Sequence, residues 1–256
     1  MLLRSLTKHV KDQNWFAVFL DFFIVVAGIL IAFQITNWNE ARVEADRERE
    51  VLINILDDVK NDNAELEASI RMTELNIDAA NYALIQAGLK PFQKLTMPIE
   101  DIPALSGFEF TVEPPREMTP VQKNRLWSLV VVRLHATQAN SAYDSLVSAG
   151  DLSLIKSPDL IKALQHYHQQ WTSLEGSQDK SYRPFRDQSL YIGQKYGLSP
   201  FIEMNEAEFT AILQANTDLA SSMRTVLEYA VIHEGQLNLV NRLAEDLIAQ
   251  LEQEIK

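Results

Sequence analysis

Residues 15–35 read WFAVFLDFFIVVAGILIAFQI, and this stretch, whose only charged residue is Asp21, decides the fold. A helix needs about 20 mainly apolar residues to cross the hydrocarbon core of a membrane. Trp15 and Trp38 bracket the run at the positions expected of interfacial aromatic residues. We therefore predict a transmembrane helix over residues 15–36. The alternative is a buried core helix, but no other part of the chain is hydrophobic enough to surround it.

A cleaved signal peptide is a second alternative, because Arg4, Lys8 and Lys11 form a basic start to the chain. The apolar run is longer than the usual length of about 7–15 residues, and no small-x-small cleavage site follows it. We therefore predict an uncleaved anchor, preceded by a tail over residues 1–14.

The orientation of the anchor follows from the basic residues that flank it. Three lie in the tail and three in residues 39–58, so the count is equal on the two sides. The shortness of the tail favours a cytoplasmic N-terminus. We expect an anchor in a bacterial inner (plasma) membrane, with the bulk of the chain in the periplasm.

One face of the predicted transmembrane helix collects its small residues and its charge. Ala17, Asp21, Gly28 and Ala32 share that face at about 3.6 residues per turn. The Gly28-x-x-x-Ala32 pair lets helix backbones approach closely in lipid, and a carboxyl at this depth is costly unless it is protonated or faces a partner. We expect this face to contact another transmembrane helix, from a second copy or from a different membrane protein. The alternative is that Asp21 lies near enough to the interface to reach water.

Composition argues against several classes of function. Asp plus Glu is 35 and Lys plus Arg is 23, a net charge of -12 that repels nucleic-acid phosphates. The chain has no cysteine, which removes thiol nucleophiles and Cys-ligated zinc. It also has no glycine-rich phosphate loop, GxSxG elbow or HExxH motif. We expect no enzyme, no cofactor, no metal site and no nucleic-acid partner.

Residues 37–90 are predicted to form a solvated stalk and then the first helix of a bundle. No Gly or Pro occurs between Gly28 and Gly88. Asn37 with Glu40 offers a capping box that would restart the helix at the membrane surface. Beyond the stalk we predict a buried heptad stripe. Its positions are Leu52, Leu56, Val59, Asn63, Leu66, Ile70, Thr73, Ile77, Ala80 and Leu84.

Residues 91–118 form an insert that is rich in proline and yet apolar. It is too apolar to be a disordered segment, and residues 108–112 alternate like a short strand. The insert either packs along the bundle as a lid or presents a docking surface for a partner. The candidate docking residues are Phe92, Phe108 and Phe110.

Residues 119–256 are predicted to hold the remaining bundle helices. Thr119, followed by proline and then by Gln122, is a strong N-terminal helix signal. We expect the helix that starts there to run to Gly150. Ser157 is expected to start a further helix.

Asn205 is expected to cap a short helix, and the last long helix is expected to begin near Thr217 and to lie antiparallel to the first. His233 falls in the core register of that last helix, as Asn63 and Thr73 do in the first. We expect these three residues to form a polar layer that fixes the register of the bundle. A pH-sensitive contact at His233 is the alternative.

The predicted fold class is therefore all-α, with one N-terminal transmembrane helix that continues into an elongated antiparallel helical bundle.

Residues 28–40 read GILIAFQITNWNE, and residues 142–155 read AYDSLVSAGDLSLI. These two stretches resemble a large family of uncharacterised bacterial single-pass membrane proteins. The resemblance implies a basic N-terminal tail, an acidic residue early in the membrane helix, here Asp21, and a helical extracytoplasmic domain. It implies no activity.

We expect a membrane-anchored extracytoplasmic scaffold or accessory subunit that acts through protein–protein contact and oligomerises. Its expected partners are the membrane and itself or another membrane protein. The alternative is a sensory or ligand-binding bundle, because four-helix bundles often bind ligands between their helices. The short tail leaves no room for an output domain, so such a sensor would signal through a partner.

Overall fold

The computed structural model of the chain describes residues 15–96 and 109–256. Helices predominate in these residues, which confirms the predicted all-α class, and a small two-stranded ribbon is the exception. The chain divides into two units, one that ends at Val51 and one over Leu52–Lys256.

The first helix, α1, spans Trp15–Gln86 without interruption, so the predicted restart at Asn37 does not occur. Its backbone amides keep their partners inside the helix, because neither glycine nor proline interrupts them at this point. Thr36 Oγ1 even donates a second hydrogen bond to the carbonyl oxygen of Ala32, at 3.1 Å. The predicted end at Gly88 is confirmed, since this residue has a φ of 69°, typical of a helix C-cap.

The buried stripe of α1 in the second unit differs from the predicted heptad at alternate positions. Seven of the ten predicted positions are buried, and Leu56, Asn63 and Ile70 are only half buried. The seven buried residues are Leu52, Val59, Leu66, Thr73, Ile77, Ala80 and Leu84. The stripe also includes five buried residues that the prediction left out, each three residues after a predicted position, and they are Ile55, Asp62, Ser69, Asn76 and Ala83. The predicted stripe consisted mainly of apolar residues, whereas three of these five additional core positions, Asp62, Ser69 and Asn76, carry polar side chains.

The insert begins with a ribbon in which β1, Lys94–Thr96, pairs antiparallel with β2, Glu109–Thr111. This confirms the strand predicted within residues 108–112. Buried Asn81 of α1 fixes the approach to the ribbon, because its amide matches the backbone of Phe92. Asn81 Nδ2 donates to the Phe92 carbonyl oxygen at 3.0 Å, and Phe92 N–H donates to Asn81 Oδ1 at 2.8 Å.

The single helix predicted from Thr119 to Gly150 is wrong. Three short helices occupy this region: α2 over Pro120–Lys123, α3 over Leu126–Val131 and α4 over Ser141–Ala149. The capping box at Thr119 is confirmed.

Contacts with α1 explain the break after α3. Asn76 Nδ2 donates to the carbonyl oxygens of Leu129 and, at 2.9 Å, of Val132. Asp62 accepts a hydrogen bond from the backbone N–H of Ala139. Two polar side chains of α1 therefore bind backbone groups that a continuous helix would pair internally.

Three of the remaining helices begin where the sequence predicts. Ser157 caps α5, Pro158–Ser177, and Asn205 caps α7, Glu206–Ala215. The last helix, α8, spans Thr217–Glu254. Between α5 and α7 the chain makes a π-helical turn, Gln178–Tyr182, and then α6, Arg183–Lys195.

In the second unit α1 and α8 run antiparallel, as predicted. Lys60 of α1 forms an ion pair with Glu252 of α8 at 2.8 Å. Further along α1, Glu74 and Asp78 line the same pocket as Glu234. Rising residue numbers on one helix therefore meet falling numbers on the other. The core between these helices includes Ala80, Ala83, Leu84, Leu219, Met223, Val226 and Ala230.

Candidate functional site

The first candidate site is the apolar surface of α1 in the first unit. Its large side chains are exposed, for example Phe22 at 66% and Phe33 at 62%. In the described part of the chain, α1 is the one helix long and apolar enough to cross a membrane, and none of its most apolar window is buried. A helix that is apolar all round needs lipid or protein around it.

The predicted helix-contact face lies on this segment. Asp21 and Ala32 are exposed, and a Cβ placed on Gly28 would meet no atom within 4 Å. Ala17 lies in α1, but its side chain is outside the described part of the structure. Nothing in the described chain covers this face, so its contact with another transmembrane helix stays a prediction.

The three residues predicted to form a polar layer have different surroundings. Thr73 and His233 are buried. Asn63 is half buried, and its Nδ2 donates to Glu67 Oε1 at 3.2 Å on the same helix. Asn63 and Thr73 lie ten residues apart, about 15 Å along α1, so the structure does not bring these two together.

Sequence reasoning missed a buried aspartate, Asp62, that binds two distant segments of the chain. It is buried in the second unit, where its Oδ1 accepts from Ala139 N–H at 2.5 Å and its Oδ2 from the Tyr167 hydroxyl at 2.8 Å. One turn earlier, Asp58 Oδ2 accepts from Ala142 N–H at 2.9 Å. We call these two carboxylates the Asp58–Asp62 pair. The pair binds the backbone at the start of α4 and fixes it to α1.

The protonation of Asp62 is unusual for a carboxyl. Burial raises the pKa of Asp62 to about 7, although the hydrogen bonds from Ala139 and Tyr167 act in the opposite direction. Burial and the neighbouring Asp62 also raise the pKa of Tyr167, so its hydroxyl remains the donor. Near neutral pH, Asp62 therefore gains and loses a proton while it holds the backbone between α3 and α4.

A small pocket beside the Asp58–Asp62 pair is lined by residues that include Asn140, Tyr143, Leu164 and His168. The rings of Tyr143 and His168 are 5.3 Å apart. The pocket has room for about one water molecule, which is too small for a metabolite. The pair thus has a structural role, which is to hold the start of α4 against α1. The sequence feature that could have revealed the pair is two aspartates four residues apart, the second of which follows the predicted core residue Val59 by three positions.

No group of three or more metal-ligating side chains is positioned to hold a metal ion in residues 15–96 and 109–256.

The insert candidates differ in what the structure describes. Phe92 is half buried and packs against the core of the second unit. Phe108 lies outside the described residues, and of Phe110 only the backbone, in β2, is described. A groove of about 250 Å³ runs beside Phe92 between α1 and the segment that follows β2. The described ends of the insert therefore pack on the bundle, as the lid interpretation requires, and leave a groove open beside them.

The described chain is thus a helical protein with a candidate membrane span near its N-terminus and a second helical unit that has its own core. It belongs to a family of unknown function, DUF6090, whose model matches residues 21–165, more than half of the chain. The match begins at Asp21 and ends within α5, so it contains most of the apolar part of α1 and the whole Asp58–Asp62 pair. This agrees with the uncharacterised family that the resemblance implied. No curated protein and no solved structure matches the chain.

Proposed function

We propose that this protein is a membrane-anchored helical scaffold or accessory subunit that acts through protein–protein contact. The exposed apolar surface of α1 carries the proposal, because side chains such as Phe22 and Phe33 need a lipid environment. The second unit has its own core and carries the contacts with partners.

The orientation is part of the proposal. The short basic tail supports a cytoplasmic N-terminus, with the second unit in the periplasm of a bacterium and α1 in the inner membrane. Membership in the family is compatible with this arrangement and assigns no activity.

Contact with a protein partner is supported by apolar side chains that the second unit leaves exposed. Phe201 is 88% exposed, and Ile202 beside it is also exposed. The segment that carries them is fixed in place, because Met204 N–H donates to the Asn124 carbonyl oxygen at 3.0 Å and Glu203 pairs with Arg125. A fixed segment that presents two large apolar side chains to solvent offers a partner a preformed apolar contact.

Single cysteines test the orientation cleanly, because the chain has none of its own. Ser5→Cys places a label in the tail, and Lys162→Cys places one on α5, where the native side chain is 76% exposed. In spheroplasts with an intact inner membrane, a membrane-impermeant maleimide should label Lys162→Cys at once and Ser5→Cys only after lysis. The reverse pattern would overturn the proposed orientation.

Particle mass in mild detergent tests the scaffold role. We expect either a multiple of the 29.1 kDa chain or a complex with another membrane protein. A lone monomer from native membranes would contradict the scaffold and favour the ligand-binding alternative.

A further inference from the structure

We propose that the second unit binds a small monovalent anion at the buried guanidinium of Arg133. This site lies between the extended segment after α3, the π-helical turn and α8. It is independent of the membrane anchor and goes beyond the scaffold role.

The guanidinium of Arg133 has fewer partners than its donors require. Its Nη2 donates to the Val226 carbonyl oxygen at 3.1 Å. Its Nε and Nη1 are buried and have no hydrogen-bond partner in the described residues. A buried donor without an acceptor is costly, and a buried charge without a counter-charge is more so.

No carboxylate among the described residues offsets this charge. The groups that act on Arg133 electrostatically are the ring hydroxyl of Tyr182 and the second cation Arg186. The nearby Asp187 is already paired with Arg186, at 2.8 Å. Burial lowers the pKa of Arg133 to about 10, so the guanidinium still carries its full charge at neutral pH.

Two aromatic side chains, Tyr182 and His233, follow one another beside Arg133. The Tyr182 ring faces it, with the Arg133 Cζ 5.6 Å from the ring centroid, and the His233 ring lies 4.5 Å from the Tyr182 ring. The Tyr182 hydroxyl is buried beside His233, and His233 Nδ1 is buried without a hydrogen-bond partner in the described part of the chain. Burial, aided by Arg133 and His135, lowers the pKa of His233 to about 3. Neutral His233 therefore offers an N–H group and no second charge.

The backbone supports the same position. Tyr182 ends a π-helical turn, and such wide turns occur frequently at functional sites. Gln178 at the start of the turn is also buried, and its Oε1 lies 2.8 Å from His135 Nδ1. The turn therefore contributes two buried polar side chains, Gln178 and Tyr182, to this region of the second unit.

The charge of the site selects the class of ligand. One guanidinium offsets one negative charge, and the remaining groups are neutral donors. A chain with a net charge of -12 repels polyanions. Chloride and short carboxylates such as acetate share the required chemistry, which is a single negative charge on a small group that accepts hydrogen bonds.

Thermal unfolding of the full chain in detergent tests the site. The sodium salts of chloride, acetate and gluconate are compared at equal ionic strength, because gluconate carries the same single charge on a much larger group. We expect a saturable rise in Tm of about 2–4 °C with chloride or acetate over gluconate, at a concentration several times the Kd. The anion that raises Tm, chloride or acetate, is the one that binds at Arg133.

Two arginine variants give the controls. Arg133→Met removes the charge and keeps an unbranched side chain, so the difference between the salts should vanish. Arg125→Met removes an exposed arginine paired with Glu203 and should leave the difference unchanged. If Arg133→Met does not fold, the ³⁵Cl line broadening of the wild-type protein gives the answer directly, and Tyr182→Phe should reduce it.

Equal Tm values in all three salts, together with no ³⁵Cl line broadening, would overturn the proposal. The unpartnered donors would then be hydrated by water alone.

Discussion

At the scale of single residues, Asp62 shows how a polar side chain can decide the fold of a distant segment. Its carboxyl binds the backbone of Ala139 and the hydroxyl of Tyr167, which lie 77 and 105 residues further along the chain. Sequence alone does not reveal such a partner, because the interaction depends on which segments the fold brings together. The capping residues Thr119, Ser157 and Asn205 were predictable because their partners lie three residues away.

The raised pKa of Asp62 predicts a specific dependence of stability on pH. The unfolded pKa is near 3.8 and the folded pKa about 7, so the folded state binds the proton more tightly. This contribution is fully present below about pH 4 and is lost as the pH rises through 7. We expect the free energy of unfolding to fall between pH 5 and pH 8.

Asp62→Asn should flatten that profile and stabilise the protein at pH 8 by about 1–3 kcal/mol, because the amide oxygen still accepts from Ala139 without a buried charge. Asp57 is an exposed residue on the same helix, so Asp57→Asn is the matched control. It should change neither the pH profile nor the free energy of unfolding at pH 8. Urea unfolding at several pH values measures both. An Asp62→Asn profile that follows the wild-type curve would refute the assigned role.

Two helical glycines provide a second pair of predictions. A Cβ on Gly193 of α6 would overlap the indole ring of buried Trp127, whereas a Cβ on Gly176 of α5 would meet nothing within 4 Å. We expect Gly193→Ala to destabilise by about 1–3 kcal/mol and Gly176→Ala to stabilise by about 0.4–1 kcal/mol. Thermal unfolding of the two variants measures the difference, and equal shifts would contradict the packing described.

At the scale of elements, the boundaries that come from local chemistry were predictable and those that come from tertiary contacts were not. The N-terminal ends of α5, α7 and α8 lie where the sequence predicts them. The separation of α3 from α4 does not, because Asn76 and Asp62 of α1 bind the backbone between them. The heptad of α1 was partly misassigned for the same reason, since polar residues such as Asp62 and Asn76 are buried on it.

The small-residue face of α1 gives a prediction at this scale. Gly28→Leu should disrupt detergent-stable association, because the added side chain keeps a neighbouring helix from approaching the backbone. Leu30→Phe also adds volume, but about 200° around the helix, and should leave association intact. Size-exclusion chromatography with light scattering measures the mass of each. Gly28→Leu particles as large as the wild type would remove this face as the contact.

At the scale of the whole molecule, the chain has one unit with a long exposed apolar helix surface and another with its own helical core. The sequence predicted the presence of both, because an apolar run of this length and the caps of the bundle helices are local patterns. The partners of the first unit and the occupant of the Arg133 site depend on molecules outside the chain, and no pattern in one sequence identifies them.

Carbonate extraction of native membranes tests the central claim most directly, because high pH strips peripheral proteins and leaves integral ones in the bilayer. We predict that the full-length chain, with residues 15–36 still attached, remains in the membrane pellet. Recovery of the chain in the supernatant, or as a species trimmed just beyond Trp38, would contradict the membrane anchor and the function proposed from it.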